Sequence, residues 1–161
     1  MPYDVQIRDV PQQAFAAVHG QANAHNIGDR IMALLSEVWD FLKAIGVKDA
    51  GHNVVLYSDD ASKALLRTEA EVPIEVGVQV ATSFESTGRV VCAAIPEGTV
   101  ATVVHMGPYQ KLPEAHVAVR EWCAEHGHAL AGPSWEIYGD WTDNPEELRT
   151  DVFYTVAVER A

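Results

Sequence analysis

Apolar and polar residues alternate through Val5-Gln6-Ile7-Arg8 and stop at Val10-Pro11. Alternation with a period of two predicts a strand. Residues 13–19 read as a second strand closing at Gly20. The period then changes: Ile31, Leu35, Val38, Leu42 and Ile45 recur at steps of three and four, the stripe of a helix with one buried face. Asn26 and Asp29 offer N-cap chemistry, and Gly46 fits just past the helix end, where a left-handed backbone is accessible without a Cβ. Residues 53–57 and 72–80 read as two more strands around a loop at 59–66.

The second half repeats this order. Residues 89–95 read as a strand ending at Pro96, Glu97-Gly98 as a hairpin-type turn, and 99–105 as a strand. Pro108 suits a first helical turn, where its missing N–H costs nothing. Leu112, His116 (or Ala115), Val119, Cys123 and His126 trace a second helical stripe, closed by Gly127. Residues 134–141 and 151–158 read as strands around a turn-rich loop holding Asn144-Pro145.

The two halves also share words. Val55-Leu56-Tyr57-Ser58-Asp59 and Leu66-Arg67-Thr68-Glu69 reappear as Glu136-Ile137-Tyr138-Gly139-Asp140 and Leu148-Arg149-Thr150-Asp151. Tyr57 and Tyr138 lie 81 positions apart, as do Gly46 and Gly127; Arg67 and Arg149 lie 82 apart. The expectation is an α+β fold of duplicated strand–strand–helix–strand–strand units: a curved, mostly antiparallel sheet with both helices on one face. One domain over 1–161 is expected, with pseudo-repeats at about 1–81 and 88–161 and a joint at 82–88.

Composition narrows the class. A chain of 161 residues with 48% hydrophobic and 21% charged content is that of an ordinary globular domain with a sizeable core. The apolar runs are too short to span a bilayer, and the N-terminal residues lack the pattern of a signal peptide, so no membrane association and a cytoplasmic location are expected. The net charge of −12 is spread over both halves and disfavours direct DNA binding. Cys92 and Cys123 are expected to be small core residues. The seven histidines show no metal-ligand spacing, and no P-loop, GxGxxG or nucleophile elbow appears, so neither a metal nor another cofactor is expected. His105, at a strand-to-helix junction, is expected to bond a loop carbonyl.

Candidate chemistry concentrates where the copies differ. Strand alternation puts Ser134, Glu136, Tyr138 and Asp140 on one face, and the position matching Glu136 in the first copy is Val55. If that face is apolar, Glu136 sits in an apolar setting, suited to a bound cation or to proton transfer. A solvated strand glutamate fits the same pattern. Tyr57 and Tyr138, related by the repeat, are candidates for two walls of a cleft, or else pack a sheet face with wet hydroxyls. Trp39 and Trp122 stand mid-helix at near-equivalent positions; Trp39 lies beside its stripe, where it can flank a groove, whereas Trp122 reads as core.

The series His105-Met106-Gly107-Pro108-Tyr109, Leu112, Trp122, Gly127, Gly132-Pro133, Glu136-Ile137-Tyr138 and Leu148-Arg149-Thr150-Asp151 resembles the GyrI-like small-molecule-binding family. That family supplies effector-binding domains to AraC- and MerR-type multidrug regulators and is related to the SOUL proteins. The resemblance is strong over 99–158 and weaker over 1–80. It implies a central ligand cleft with Glu136 at the bottom of an aromatic-lined pocket, facing lipophilic cations in drug sensors or hydrolysing cyclopropane-bearing compounds in some standalone relatives. The ligand-binding set then comprises Glu136, Tyr138, Tyr57, Val55, Trp39 and Tyr109; a hydrolase would use Glu136 as general base and Tyr138 as donor. Where relatives carry an aromatic on the second helix this chain has His116, which makes that wall more polar. No helix-turn-helix module is present, so the expected partner is a small molecule, with a protein partner, as in gyrase inhibition, as a further alternative.

Overall fold

A computed structural model describes residues 3–23, 25–48, 50–57, 71–81, 84–85 and 88–157. The first half contributes β1 (Gln6–Val10), β2 (Gln13–Ala22), α1 (Ile27–Ala44), β3 (Asn53–Tyr57) and β4 (Val72–Gln79). The second contributes β5 (Val91–Ile95), β6 (Gly98–Met106), α2 (Leu112–Glu125), β7 (Leu130–Tyr138) and β8 (Arg149–Val156). A 3-10 turn at Tyr109–Lys111 leads into α2, and another at Pro145–Glu147 precedes β8.

All eight strands join one antiparallel sheet in the order β1-β6-β8-β7-β3-β4-β2-β5. The order is symmetric about the β7–β3 pair, as a duplication requires, and it carries an exchange. Among the described residues β1 pairs only with β6 of the second half, and β5 only with β2 of the first. Each half therefore supplies the outermost strand of the other. This corrects the turn expected at Glu97-Gly98: β5 and β6 are sequential but lie in opposite halves of the sheet and do not pair, so the chain crosses over there and does not form a hairpin. Gly98 has φ +145, a conformation closed to residues with a Cβ.

The helices lie on one face. α1 packs on β2 and β4, burying Leu35, Val38 and Leu42 against Ala16, Val18, Val55, Val76 and Val78. α2 packs on β6 and β8, burying Leu112, Ala115, Val119 and Cys123 against Ala101, Val103, Val152 and Tyr154. The curled sheet closes its other face on a separate core of Phe15, Val54, Val100 and Trp135. Burying each such side chain is worth about 1.5–3 kcal/mol, so the period-two pattern of every strand is enforced from both faces. The central strands β3 and β7 lie between the two helices, under the gap that separates them.

Several boundaries differ from expectation for local reasons. β2 runs through Gly20 because Leu34 of α1 packs over it; a Cβ there would sit 2.5 Å from Leu34 Cδ1. Asn26 occupies the N-cap of α1 but does not cap it: its Oδ1 accepts from the Asn23 N–H. Pro108 is extended, with ψ 148, and stands ahead of the 3-10 turn; the proline in the first turn of α2 is Pro113. The strand expected at 134–141 starts at Leu130, and its pairing with β8 is irregular between Leu130 and Ser134, across Gly132-Pro133. β5 begins at Val91, two residues late, and the last strand is Arg149–Val156. Cys123 is buried and Cys92 half-buried. Trp122 is half-buried, stacked on His126 at 4.2 Å. The copied words at 58–59 and 66–69, and most of the joint at 82–88, lie outside the described residues. Among the described residues no helix is long and apolar enough to cross a membrane.

Candidate functional site

The repeat brings its own asymmetry into register. On the helix-covered face, Val55 of β3 and Val152 of β8 are the direct cross-strand neighbours of Glu136 on β7, and both are fully buried. Glu136 itself is 2% exposed. A carboxylate flanked by two valines and cut off from water must be compensated by hydrogen bonds.

Three side chains do so. The hydroxyls of Tyr57 and Tyr138 donate to Oε1 at 3.0 and 2.6 Å. His116 Nε2 lies 2.5 Å from Oε2. On its other side, His116 Nδ1 lies 2.6 Å from the Tyr154 hydroxyl. The buried chain Tyr154–His116–Glu136 thus links β8, α2 and β7. Tyr57 also meets the imidazole edge-on, with ring centroids 6.0 Å apart. Burial, reinforced by the Glu136 charge, pushes the Tyr57 and Tyr138 hydroxyls well above their usual 10.0, so both remain proton donors.

At the mouth, Tyr109 stacks edge-on against Tyr138 at 5.4 Å and is 38% exposed. Thr150, the cross-strand neighbour of Tyr138, is fully buried, and its Oγ1 has no hydrogen-bond partner among the described residues.

Of the six residues expected to bind ligand, Glu136, Tyr138, Tyr57, Val55 and Tyr109 come together over β3 and β7. Trp39 stands to one side: its Nε1 donates to Asn53 Oδ1 at 3.0 Å, at the start of β3. His105, expected to be structural, bonds the Pro108 carbonyl and the Tyr3 hydroxyl. Two cavities, of about 240 and 230 Å³, lie on the opposite face of the sheet, one beside Arg8 and Arg149 and the other beside His19 and Leu56. Neither is lined by the residues of the Glu136 cluster.

Sequence reasoning placed His116 on the wall without finding its bond to Glu136, and it missed Tyr154. Alternation along β8 puts Thr150, Val152 and Tyr154 on one face, which was the available signal. The β7–β8 register, with Glu136 opposite Val152, is what brings that face to the cluster.

The whole described chain, residues 3–157, matches the GyrI-like small molecule binding domain. The protein belongs to the GyrI-like family. No curated protein matches it in sequence. Among solved structures it is similar to the EcmrR C-terminal domain, with TM-score 0.79 and 19% identity over 98% of this chain and 99% of that one. It also matches EcmrR in its DNA complex, with TM-score 0.81 and 21% identity, covering 96% of this chain but 57% of that longer one. SAV2435 bound to tetraphenylphosphonium has TM-score 0.64 and 12% identity over 98% of this chain and 94% of that one. At such identities these likenesses speak for the fold alone.

Proposed function

We propose that this chain binds small lipophilic, aromatic molecules, cations among them, in the cleft between α1 and α2, and so senses or sequesters drug-like compounds. The observation that carries the reading is the buried Glu136 carboxylate between Val55 and Val152, under aromatic side chains. A cleft with apolar walls and one fixed charge suits such ligands, and Tyr57, Tyr138 and Tyr109 offer faces for stacking and cation–π contact. Tetraphenylphosphonium, the ligand of SAV2435, belongs to that chemical class. Access requires movement at the mouth, where half-buried Tyr138 and exposed Tyr109 are the groups with room to turn.

Binding is favoured over hydrolysis by the way Glu136 is used. As general base it would have to accept a proton from water, but its oxygens already accept from Tyr57, Tyr138 and His116. Calorimetric titration with tetraphenylphosphonium tests the proposal: Glu136→Gln should weaken binding about tenfold or more, the scale of one charge contact in a dry site. Equal affinity in the variant would remove Glu136 from the site. Incubation with cyclopropane-bearing compounds, followed by mass spectrometry, should return them unchanged.

A further inference from the structure

The duplication supplies an internal control for the polar chain. By the 81-residue offset, His116 matches Leu35 and Glu136 matches Val55. By strand pairing Tyr154 matches Val78, since Val78 opposes Asn53 as Tyr154 opposes Ser134. Leu35, Val55 and Val78 are all buried in the core beneath α1. The same architecture is therefore built once with three apolar side chains and once with Tyr154–His116–Glu136. The fold does not need the polar set, and a buried ion pair stabilises little more than well-packed apolar groups would.

Resting on the binding reading above, we infer that His116 is the specificity-determining residue of the cleft: its protonation decides whether a cation or only a neutral molecule is accepted. With the imidazole protonated, the His116–Glu136 pair is neutral overall and opposes a second cation. With the imidazole neutral, Nε2–H still donates to Glu136 Oε2, and the pair carries one negative charge. The proton that leaves is the one on Nδ1, and it passes to solvent. Tyr154 fits both states: its hydroxyl accepts from Nδ1–H in the charged form and donates to Nδ1 in the neutral one. A cation therefore binds the deprotonated cluster.

The groups facing the imidazole are those such a switch requires. They are Tyr57 from β3, Glu136 and behind it Tyr138 from β7, and Tyr154 from β8. On α2, Arg120 lies one turn on, its guanidinium 5.5 Å over the Tyr154 ring. β6 presents Ala101 and Val103 beneath α2, while His105 at its end is held by Tyr3 and the Pro108 carbonyl.

The test compares tetraphenylphosphonium with neutral triphenylphosphine oxide between about pH 5.5 and pH 8. In the wild-type protein, cation affinity should rise with pH, by up to about tenfold per unit, and the neutral probe should show no slope. His116→Gln keeps a donor toward Glu136 without the titration, and His116→Leu copies the first half; both should bind the cation with no pH slope. A slope that survives in His116→Gln, or a flat wild-type profile, overturns the inference while leaving ligand binding intact. A ligand-free reading separates the two claims: imidazole NMR should show the His116 midpoint falling in Glu136→Gln. A midpoint that stays put overturns the charge pairing, whereas a midpoint that moves in a protein binding neither probe overturns the binding function alone.

Discussion

Val55 and Glu136, matched positions that differ in charge between the two copies, stand directly opposite each other on β3 and β7. The pseudo-twofold axis passes between them, which is why Tyr57 and Tyr138, one from each copy, converge on the same carboxylate oxygen. Glu136→Val would restore the symmetry but leave Tyr57, Tyr138 and His116 without their acceptor, at a cost of about 3–5 kcal/mol. Adding His116→Leu, as in the first copy, should recover a substantial part of that loss. Urea unfolding of the two single variants and the double variant measures the coupling; a double variant no more stable than Glu136→Val would contradict the pairing.

The tyrosines set an alkaline limit. Their folded hydroxyls titrate above the usual 10.0, which is also their unfolded value, because of burial and the nearby carboxylate. A raised acid contributes stability that is fully present below the unfolded pKa and is lost as pH rises toward the folded one. Unfolding midpoints should therefore hold to about pH 9 and fall beyond about pH 10. Tyr57→Phe should flatten that fall while lowering stability near neutrality by about 1–2 kcal/mol through the lost hydrogen bond.

The Thr150 hydroxyl next to Tyr138, buried with no hydrogen-bond partner among the described residues, is a cost to the fold. Thr150→Val keeps the shape and removes the stranded polar atom, and should raise stability by about 1 kcal/mol or leave it unchanged. Thr150→Ser keeps the hydroxyl, loses the methyl group and should cost about 1 kcal/mol. The reverse order in thermal melts would mean that the hydroxyl has a stabilising partner.

Gly77 on β4 lies where the β2 backbone passes closest: a Cβ there would be 1.7 Å from the Ala16 carbonyl oxygen. Gly77→Ala should cost more than about 3 kcal/mol, because backbone and not a flexible side chain must move. Circular dichroism melts of this variant should show the large loss, with Gly28→Ala as the mild control, since nothing lies within 4 Å of that position.

The order of elements was readable because their periods are strong: the stripe Ile31 to Leu42 has no strand-like alternative, and Gly46 and Gly127 end both helices at φ +78 and +75. Glu136 was readable as the break in a repeat. What could not be read was partnership across long separations. The bond from His116 to Glu136 depends on where α2 lies over the sheet, and the position of Tyr154 depends on the β7–β8 register, neither of which local pattern encodes. The hairpin expected at Glu97-Gly98 failed for the same reason: two adjacent strands carry no mark saying that their partners lie in the other half.

That exchange of outer strands has a consequence for how the molecule comes into being. Asp9 must wait for Thr99, and Gln13 for Ile95, before either sheet edge is complete. Such sequence-distant closure slows folding and leaves raw edges exposed during synthesis. It also means that a half produced alone lacks a border the other half would provide. Two separately expressed halves should therefore assemble by complementation, and an ancestral single unit would have met the same need by trading strands with its twin.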